Sequence, residues 1–196
     1  KELRRRNVFR VIVSPGSRNA PLTLAFRNDK HFRVEVVVDE RSAAFIALGM
    51  AQQSHHPVVL VCTSGTAALN YGPALAEAYY QGVPIVAITA DRPPEWIDRG
   101  EGQCIRQAHV FSNYVKNSFN IDISTDSSEC LSVNCSGITF LLNACNNDFF
   151  GPVHLNFPFR EPLYGWQITD VESGSEILSV DDVAADVHFL NELRNA

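Results

Sequence analysis

Two adjacent acidic residues stand between an apolar stretch and a stretch of high helix propensity. The run 34–38 (Val-Glu-Val-Val-Val) ends at Asp39 and Glu40, and an Ala-rich segment follows directly. This pattern predicts a buried strand, a turn and a helix, with Glu40 at the junction. Ligands of open α/β sheets bind beyond the carboxyl ends of the strands, so a carboxylate there is a candidate for acid–base chemistry. The alternative is that Asp39 or Glu40 only caps the helix, and the local sequence by itself favours the cap.

Hydroxyl, glycine and arginine residues follow three other apolar runs, at 14–18 (Ser-Pro-Gly-Ser-Arg), 63–66 (Thr-Ser-Gly-Thr) and 91–94 (Asp-Arg-Pro-Pro). Arg18 is of the type that clamps a carboxylate, and the alternative is an ordinary solvated arginine. Residues 63–66 can present backbone N–H groups to an anion or a polar ring at the start of a helix. The alternative for them is simple N-capping by Thr63 or Ser64.

Hydrophobic patterning predicts the elements that position these segments. Strands are predicted at 8–13, 34–38, 58–62, 83–89 and 153–157, with an extended segment at 114–121. Helices are predicted at 22–28, 41–53, 67–80, 103–111 and 127–146. Apolar strands that alternate with helices indicate the α/β class, here a three-layer α/β/α domain with a mainly parallel sheet of about six strands.

The carboxyl ends of the first four strands meet at one edge of such a sheet. That edge then collects one acid flanked by apolar structure, several hydroxyl groups, two glycines and two arginines. This mixture suits a polar or anionic ligand better than it suits a plain helix cap. The glycines follow neither the Walker A nor the GxGxxG pattern, so neither of those phosphate-binding loops is predicted.

Composition excludes several other classes of function. The chain has 196 residues, 45% hydrophobic and 19% charged, which is typical of a globular domain, and its net charge of −6 argues against a nucleic-acid partner. The sequence contains no run of about 20 apolar residues, so stable membrane insertion is not expected. Five cysteines without paired spacing favour a reducing, cytoplasmic location and no metal site.

The composition changes near residue 165. Residues 170–186 contain six acids and no base. We therefore predict one domain at 1–165 and an acidic linker at 166–196.

The motifs together closely resemble the N-terminal pyrimidine-binding (PYR) domain of thiamine-diphosphate enzymes, and within them the menaquinone-pathway synthases. The resemblance runs from about residue 8 to residue 165. It rests on segments 14–23, 39–41, 63–67, 89–95, 105–107, 153–159 and 161–165, which read SPGSRNAPLT, DER, TSGTA, TADRPPE, IRQ, VHLNFPF and EPLYG. Each motif alone is weak, but their order and intervals make the signal specific. The resemblance implies the thiamine-diphosphate-binding fold.

The resemblance also implies a role for each candidate residue. Glu40 matches the family glutamate that hydrogen-bonds the aminopyrimidine ring and favours the tautomer that takes a proton from the thiazolium carbon. Further cofactor contacts are expected from Pro15, Gly16, Thr63 and Gly65. Expected substrate contacts are Ser17, Arg18, Arg92 and Gln103. The implied substrates, 2-oxoglutarate and isochorismate, are both dicarboxylates, and arginine side chains are suited to bind their carboxylate groups.

The sequence departs from the family pattern in the loop around Gln103 and in the motif that binds the metal. Gly102 and Cys104 stand where the family pattern has Asn and Ala. The family binds Mg²⁺ (or Mn²⁺) and the diphosphate through a Gly-Asp-Gly motif in a second domain, and this sequence contains no such motif. We therefore expect a fragment that holds half a site, inactive alone, from a protein that is a homodimer or homotetramer when full length. The alternatives are another thiamine-diphosphate decarboxylase or acetolactate-type enzyme, and a non-catalytic binding module.

Overall fold

The computed structural model describes residues 1–146 and 150–164, so the predicted linker at 166–196 lies outside the described residues. Six helices are named α1 to α6 and six strands β1 to β6 in chain order. The helices are α1 Glu2–Arg5, α2 Ala20–Asn28, α3 Glu40–Ser54, α4 Thr66–Leu69, α5 Gly72–Gln81 and α6 Ser128–Asn146, with a 3₁₀ turn at Pro94–Trp96. The strands are β1 Arg10–Val13, β2 Arg33–Val36, β3 Val58–Cys62, β4 Ile85–Asp91, β5 Ser118–Asn120 and β6 Val153–Pro158.

The strands form one parallel sheet in the order β2-β1-β3-β4-β6-β5. Helices pack on both faces, which confirms the predicted three-layer α/β fold. One face carries α3 and α5 against Ile12 and Leu60, and the other carries α2 and α6 against Val11 and Val59. Alternate residues of one strand thus enter different cores, because side chains alternate between the faces of a sheet. The central strands are consequently apolar on both sides.

Small residues let α3 lie close to the sheet. Ala44, Ala47 and Ala51 are almost fully buried along one side of this helix. The helix begins at the carboxyl end of β2, as the sequence predicts. Within the described part of the chain, every helix falls short of the length or the apolarity that a bilayer crossing demands.

The strand that precedes Glu40 is not buried, which corrects the prediction for 34–38. Strand β2 occupies an edge of the sheet, and the side chains of Val36 and Val38 are 63% and 77% exposed. An edge strand has a neighbour on one side only, and sequence cannot reveal strand order. The apolar run was therefore a correct signal for a strand but a wrong signal for its burial.

Two helix predictions are also wrong in detail. The predicted helix 67–80 is divided into α4 and α5, because Pro73 near the start of α5 has no N–H to continue the ladder of α4. The predicted helix at 103–111 is not formed: an irregular stretch at 104–107 lies between turns, with Gln103 and His109 in the left-handed region at φ 54° and 58°. Hydrogen bonds to distant parts of the chain replace the helical ladder in this segment.

Candidate functional site

A cavity of about 410 Å³ opens at the carboxyl edge of the sheet, where the loops after β1, β2 and β3 meet. Strands β1 and β3 are neighbours, and the N–H of Ser14 donates to the carbonyl of Val61 at 2.8 Å, which holds their loops side by side. Six of the predicted site residues line this cavity: Pro15, Gly16, Ser17, Glu40, Thr63 and Gln103. Parallel strands therefore bring together residues up to 88 positions apart in the sequence.

The two adjacent acids perform different tasks. The carboxylate of Asp39 accepts a hydrogen bond from the backbone N–H of Ser42 at 2.7 Å, so Asp39 is the N-cap of α3. That bond lowers the pKa of the Asp39 carboxyl. Glu40 lines the cavity, and among the described residues its carboxylate has no hydrogen bond or ion pair. The helix cap is thus supplied by Asp39, which leaves the Glu40 carboxylate available to a ligand.

Close packing of two loops shapes the wall of the cavity. A Cβ atom added to Gly16 would lie 2.5 Å from the Cβ of Thr63, far inside van der Waals contact. Thr63 is itself nearly buried and cannot easily withdraw. The absence of a side chain at position 16 therefore allows the loops after β1 and β3 to approach each other.

Gly65 lies behind the cavity and does not line it. Its backbone has φ 82° and ψ −142°, a conformation that a side chain disfavours, and a Cβ there would lie 3.0 Å from the backbone of Gln103. The hydroxyl of Ser64 donates to the carbonyl of Gln103 at 3.0 Å. Neither Thr63 nor Ser64 caps α4, since the N-cap position is Gly65 and no side chain bonds there. The Ser64–Gly65 turn instead supports the Gln103 loop.

Arg18 and Arg92 lie on the ring of Trp96 and are not among the residues that line the cavity. Both guanidinium carbons are 5.6 Å from the Trp96 ring centroid. Arg18 is only 3% exposed, and it donates to the carbonyl of Phe159 and to the carboxylate of Glu161, each at 2.9 Å. Burial, and next the neighbouring Arg92 cation, lower the pKa of the Arg18 guanidinium. The solvated arginine considered from sequence is therefore not what the structure shows for Arg18.

Asp91 supplies negative charge near these two arginines. Its carboxylate accepts bonds from the side chain of Asn156 at 2.8 Å and from the N–H of Arg92 at 2.7 Å. Burial raises the pKa of the Asp91 carboxyl, although these two bonds oppose the rise. The Nε atoms of Arg18 and Arg92 are buried without a hydrogen-bond partner. An anionic ligand that reached the two guanidinium groups would find unused N–H capacity there.

His154 belongs to a buried network and is not a catalytic base. Its Nε2 lies 2.8 Å from the hydroxyl of Thr89 and its Nδ1 lies 3.1 Å from the hydroxyl of Ser118. Thr89 donates its proton to the side-chain oxygen of Asn156, so Nε2 of His154 must donate to Thr89 and Nδ1 must accept from Ser118. Burial, and next His109, lower the pKa of His154 to about 3. The ring is therefore neutral, and it has no access to solvent.

We expect the folded domain to lose stability as the pH falls, because the folded state disfavours a proton on His154. The unfolded ring titrates near its ordinary pKa and the folded ring only at about 3, so the unfolded state binds more protons between those values. Stability is full above the unfolded pKa, and about 2 kcal/mol should be lost between about pH 8 and about pH 5. Urea denaturation across this range should show a flatter profile for His154→Gln. The exposed variant His56→Gln should keep the wild-type slope. If the stability of His154→Gln changed with pH as steeply as that of wild type, the lowered pKa assigned to His154 would be contradicted.

Several residues of the site were not among the individual contacts that the sequence predicted. Asn70 lines the cavity one helical turn after Thr66, to whose carbonyl its side chain donates at 3.0 Å. Thr66 and Ala67 also line the cavity. Gln107 and Asn156 are buried polar residues behind the site. Both stand inside motifs noted above, yet only the fold shows what they contact.

The cavity suits the aminopyrimidine half of thiamine diphosphate. It offers an unpaired carboxylate at Glu40, hydroxyl groups at Thr63 and Thr66, and room left by Gly16. Residues 1–146 and 150–164 contain no group of three His, Cys, Asp or Glu side chains placed to hold a metal ion. The five cysteines all lie in this part of the chain and are free thiols.

Comparison with known families identifies the class. Residues 1–110 match the family described as "Thiamine pyrophosphate enzyme, N-terminal TPP binding domain". This match covers more than half of the chain. The chain therefore belongs to this family, in agreement with the resemblance and with the fold.

Individual relatives narrow the similarity to one kind of enzyme. The chain is 47% identical over 154 residues to the 2-succinyl-5-enolpyruvyl-6-hydroxy-3-cyclohexene-1-carboxylate synthase of Cytophaga hutchinsonii, which covers 79% of this chain and 28% of the relative. The synthase of the same name from Porphyromonas gingivalis is 48% identical, and the match covers 82% of this chain and 28% of the relative. The one from Lysinibacillus sphaericus is 47% identical, and the match covers 80% of this chain and 27% of the relative. The chain thus spans little more than a quarter of the length of these relatives.

Proposed function

We propose that this chain forms the pyrimidine-binding half of the active site of a 2-succinyl-5-enolpyruvyl-6-hydroxy-3-cyclohexene-1-carboxylate synthase. The observation that carries the proposal is the Glu40 carboxylate, which is unpaired among the described residues and lines the 410 Å³ cavity. The relatives named above support the particular reaction. In that reaction 2-oxoglutarate is decarboxylated and its remaining carbons are added to isochorismate, as a step of menaquinone biosynthesis in the cytoplasm.

Thiamine diphosphate supplies the carbanion chemistry of this reaction when it is bound. The task of Glu40 is to hold a proton at a ring nitrogen of the aminopyrimidine, which requires a carboxyl group in a fixed position. The capping bond from Asp39 contributes to that position, because it fixes the first turn of α3, where Glu40 stands. Pro15, Gly16 and Thr63 would form the wall against the pyrimidine ring, and Gly65 supports the Gln103 loop beside it.

Arg18 and Arg92 are assigned to the carboxylates of the substrates, together with the polar groups of Ser17 and Gln103. The two guanidinium groups share the Trp96 ring and retain Nε atoms without a hydrogen-bond partner. The carboxylate of Glu161 occupies one amino group of Arg18 and is half exposed, so a substrate carboxylate can compete with it. The diphosphate and Mg²⁺ are assigned to a second domain, contributed by another subunit of a homodimer or homotetramer.

The test uses the protein encoded by the complete reading frame, with thiamine diphosphate, Mg²⁺, 2-oxoglutarate and isochorismate. We expect release of CO₂ and formation of the addition product with both substrates present. Formation of acetolactate from pyruvate instead would support the related decarboxylase. Absence of thiamine diphosphate binding would support a non-catalytic module. The 196-residue chain alone should show no turnover, because it contains no Gly-Asp-Gly motif for the diphosphate and its Mg²⁺.

A further inference from the structure

Gln107 is a buried amide that the proposed reaction does not use directly. It is 1% exposed and lies in the irregular stretch at 104–107. A buried side-chain amide requires partners for its oxygen and its two N–H groups. Its partners therefore show which parts of the chain it connects.

The side chain of Gln107 forms three hydrogen bonds, and all three reach other parts of the chain. Its side-chain oxygen accepts from the backbone N–H of Gly65 at 2.9 Å. Its amide nitrogen donates to the carbonyl of Ala90 and to the side-chain oxygen of Asn156, each at 2.9 Å. Gln107 thus ties the turn behind the cavity to the carboxyl end of β4 and to β6.

The neighbours of Gln107 leave its amide one orientation. The oxygen of Asn156 also accepts from the hydroxyl of Thr89 at 2.8 Å, and the nitrogen of Asn156 donates to Asp91 and Asn120 at 2.8 and 2.7 Å. Asn156 must therefore present its oxygen to Gln107, and Gln107 must present its nitrogen to Asn156. The Gln107 oxygen then faces Gly65 and accepts from its backbone N–H.

The Ser64–Gly65 turn also supports one wall of the cavity. Gln103 lines the cavity with its backbone in the left-handed region at φ 54°, which is costly for a residue with a side chain. The carbonyl of Gln103 accepts from Ser64, and its backbone packs against Gly65. The Gln103 loop thus depends on a turn that Gln107 holds in place.

We propose that Gln107 is a positioning residue that fixes the Ser64–Gly65 turn, and through it the Gln103 wall of the cavity. The kinetic effect that we expect from this inference rests on the proposed function, whereas the expected loosening of the turn does not. Loss of the three bonds should free the turn and the loop while leaving the sheet intact, since the ladder of β3 and β4 does not pass through Gln107.

The experiment compares Gln107→Met with wild type in the full-length protein. Methionine has a similar length and no strong hydrogen-bonding group. We expect amide hydrogen exchange to become at least about tenfold faster at 63–66 and 103–105, as in a local opening, with exchange in β3 and β4 unchanged. The KM for isochorismate should rise about tenfold with a smaller change in kcat. The control Gln52→Met removes an exposed amide on α3 and should change neither measurement.

A second variant keeps the inference testable if Gln107→Met does not fold. Gln107→Glu retains an acceptor for Gly65, but its ionised form places oxygen against the oxygens of Ala90 and Asn156. Protonation of the new carboxylate restores one donor to these oxygens. The increase in amide exchange at 63–66 over wild type should therefore be larger at about pH 8 than at about pH 6. Unchanged local exchange in either variant would overturn the proposal, as would a uniform increase across the sheet. Local exchange that rises while the wild-type protein lacks synthase activity would uphold the positioning role and refute the proposed function.

Discussion

Replacement of Glu40 by glutamine in the full-length protein should lower turnover by about 10²- to 10⁴-fold, the range typical for loss of a positioned acid–base group. Glutamine has nearly the same size but cannot exchange a proton with a ring nitrogen at neutral pH. Binding of thiamine diphosphate should weaken much less, because the neighbouring cavity residues and the separate diphosphate site remain. Steady-state kinetics together with calorimetric titration of the cofactor separates the two effects.

Asp39→Asn is the matched control for Glu40→Gln. Asp39 is the adjacent acid and lies outside the residues that line the cavity, where it caps α3 through the N–H of Ser42. Asparagine is also a good N-cap, so stability and turnover should both stay near wild type. Near-normal turnover in Glu40→Gln, or an equal loss in Asp39→Asn, would refute the role assigned to Glu40.

Replacement of Gly16 by alanine is expected to have the second largest effect. The added methyl group would lie 2.5 Å from the Cβ of Thr63 and 2.9 Å from its Oγ1, so one of the two loops must move. Overpacking of this kind costs about 1–3 kcal/mol. We expect the thermal midpoint to fall and cofactor affinity to drop about tenfold, the equivalent of about 1.4 kcal/mol.

Gly49→Ala is the control for the change at Gly16. Gly49 lies on the exposed side of α3, and a Cβ there meets nothing within 4 Å. Alanine in a helix interior is favoured over glycine by about 0.5–1 kcal/mol, so this variant should be slightly more stable with unchanged cofactor affinity. Wild-type stability and cofactor binding in Gly16→Ala would show that the loops are not closely packed in solution.

Much of the architecture could be predicted because local signals agreed with one another. Strand β3 begins and ends at the predicted residues 58–62, since a β-branched run between a proline and a polar turn is unambiguous. The convergence of four strand ends followed from the parallel sheet alone. Predictions were wrong where the outcome depended on contacts distant in sequence. The segment 103–111 has a helical pattern, but the side chain of Gln107 bonds to Gly65, Ala90 and Asn156, which lie far from it in the sequence.

The sequence by itself determined the class of fold, and it predicted the edge of the sheet where the cavity opens and the pair of acids from which Glu40 lines that cavity. Periodicity and strand-end composition are local properties, so they can be read without coordinates. Only the tertiary structure decided which acid is free, because a capping bond depends on side-chain geometry, and Asp39 forms it while Glu40 faces the cavity. Tertiary structure also placed β2 at an edge and buried Arg18 against Trp96, because strand order and burial depend on partners far along the chain.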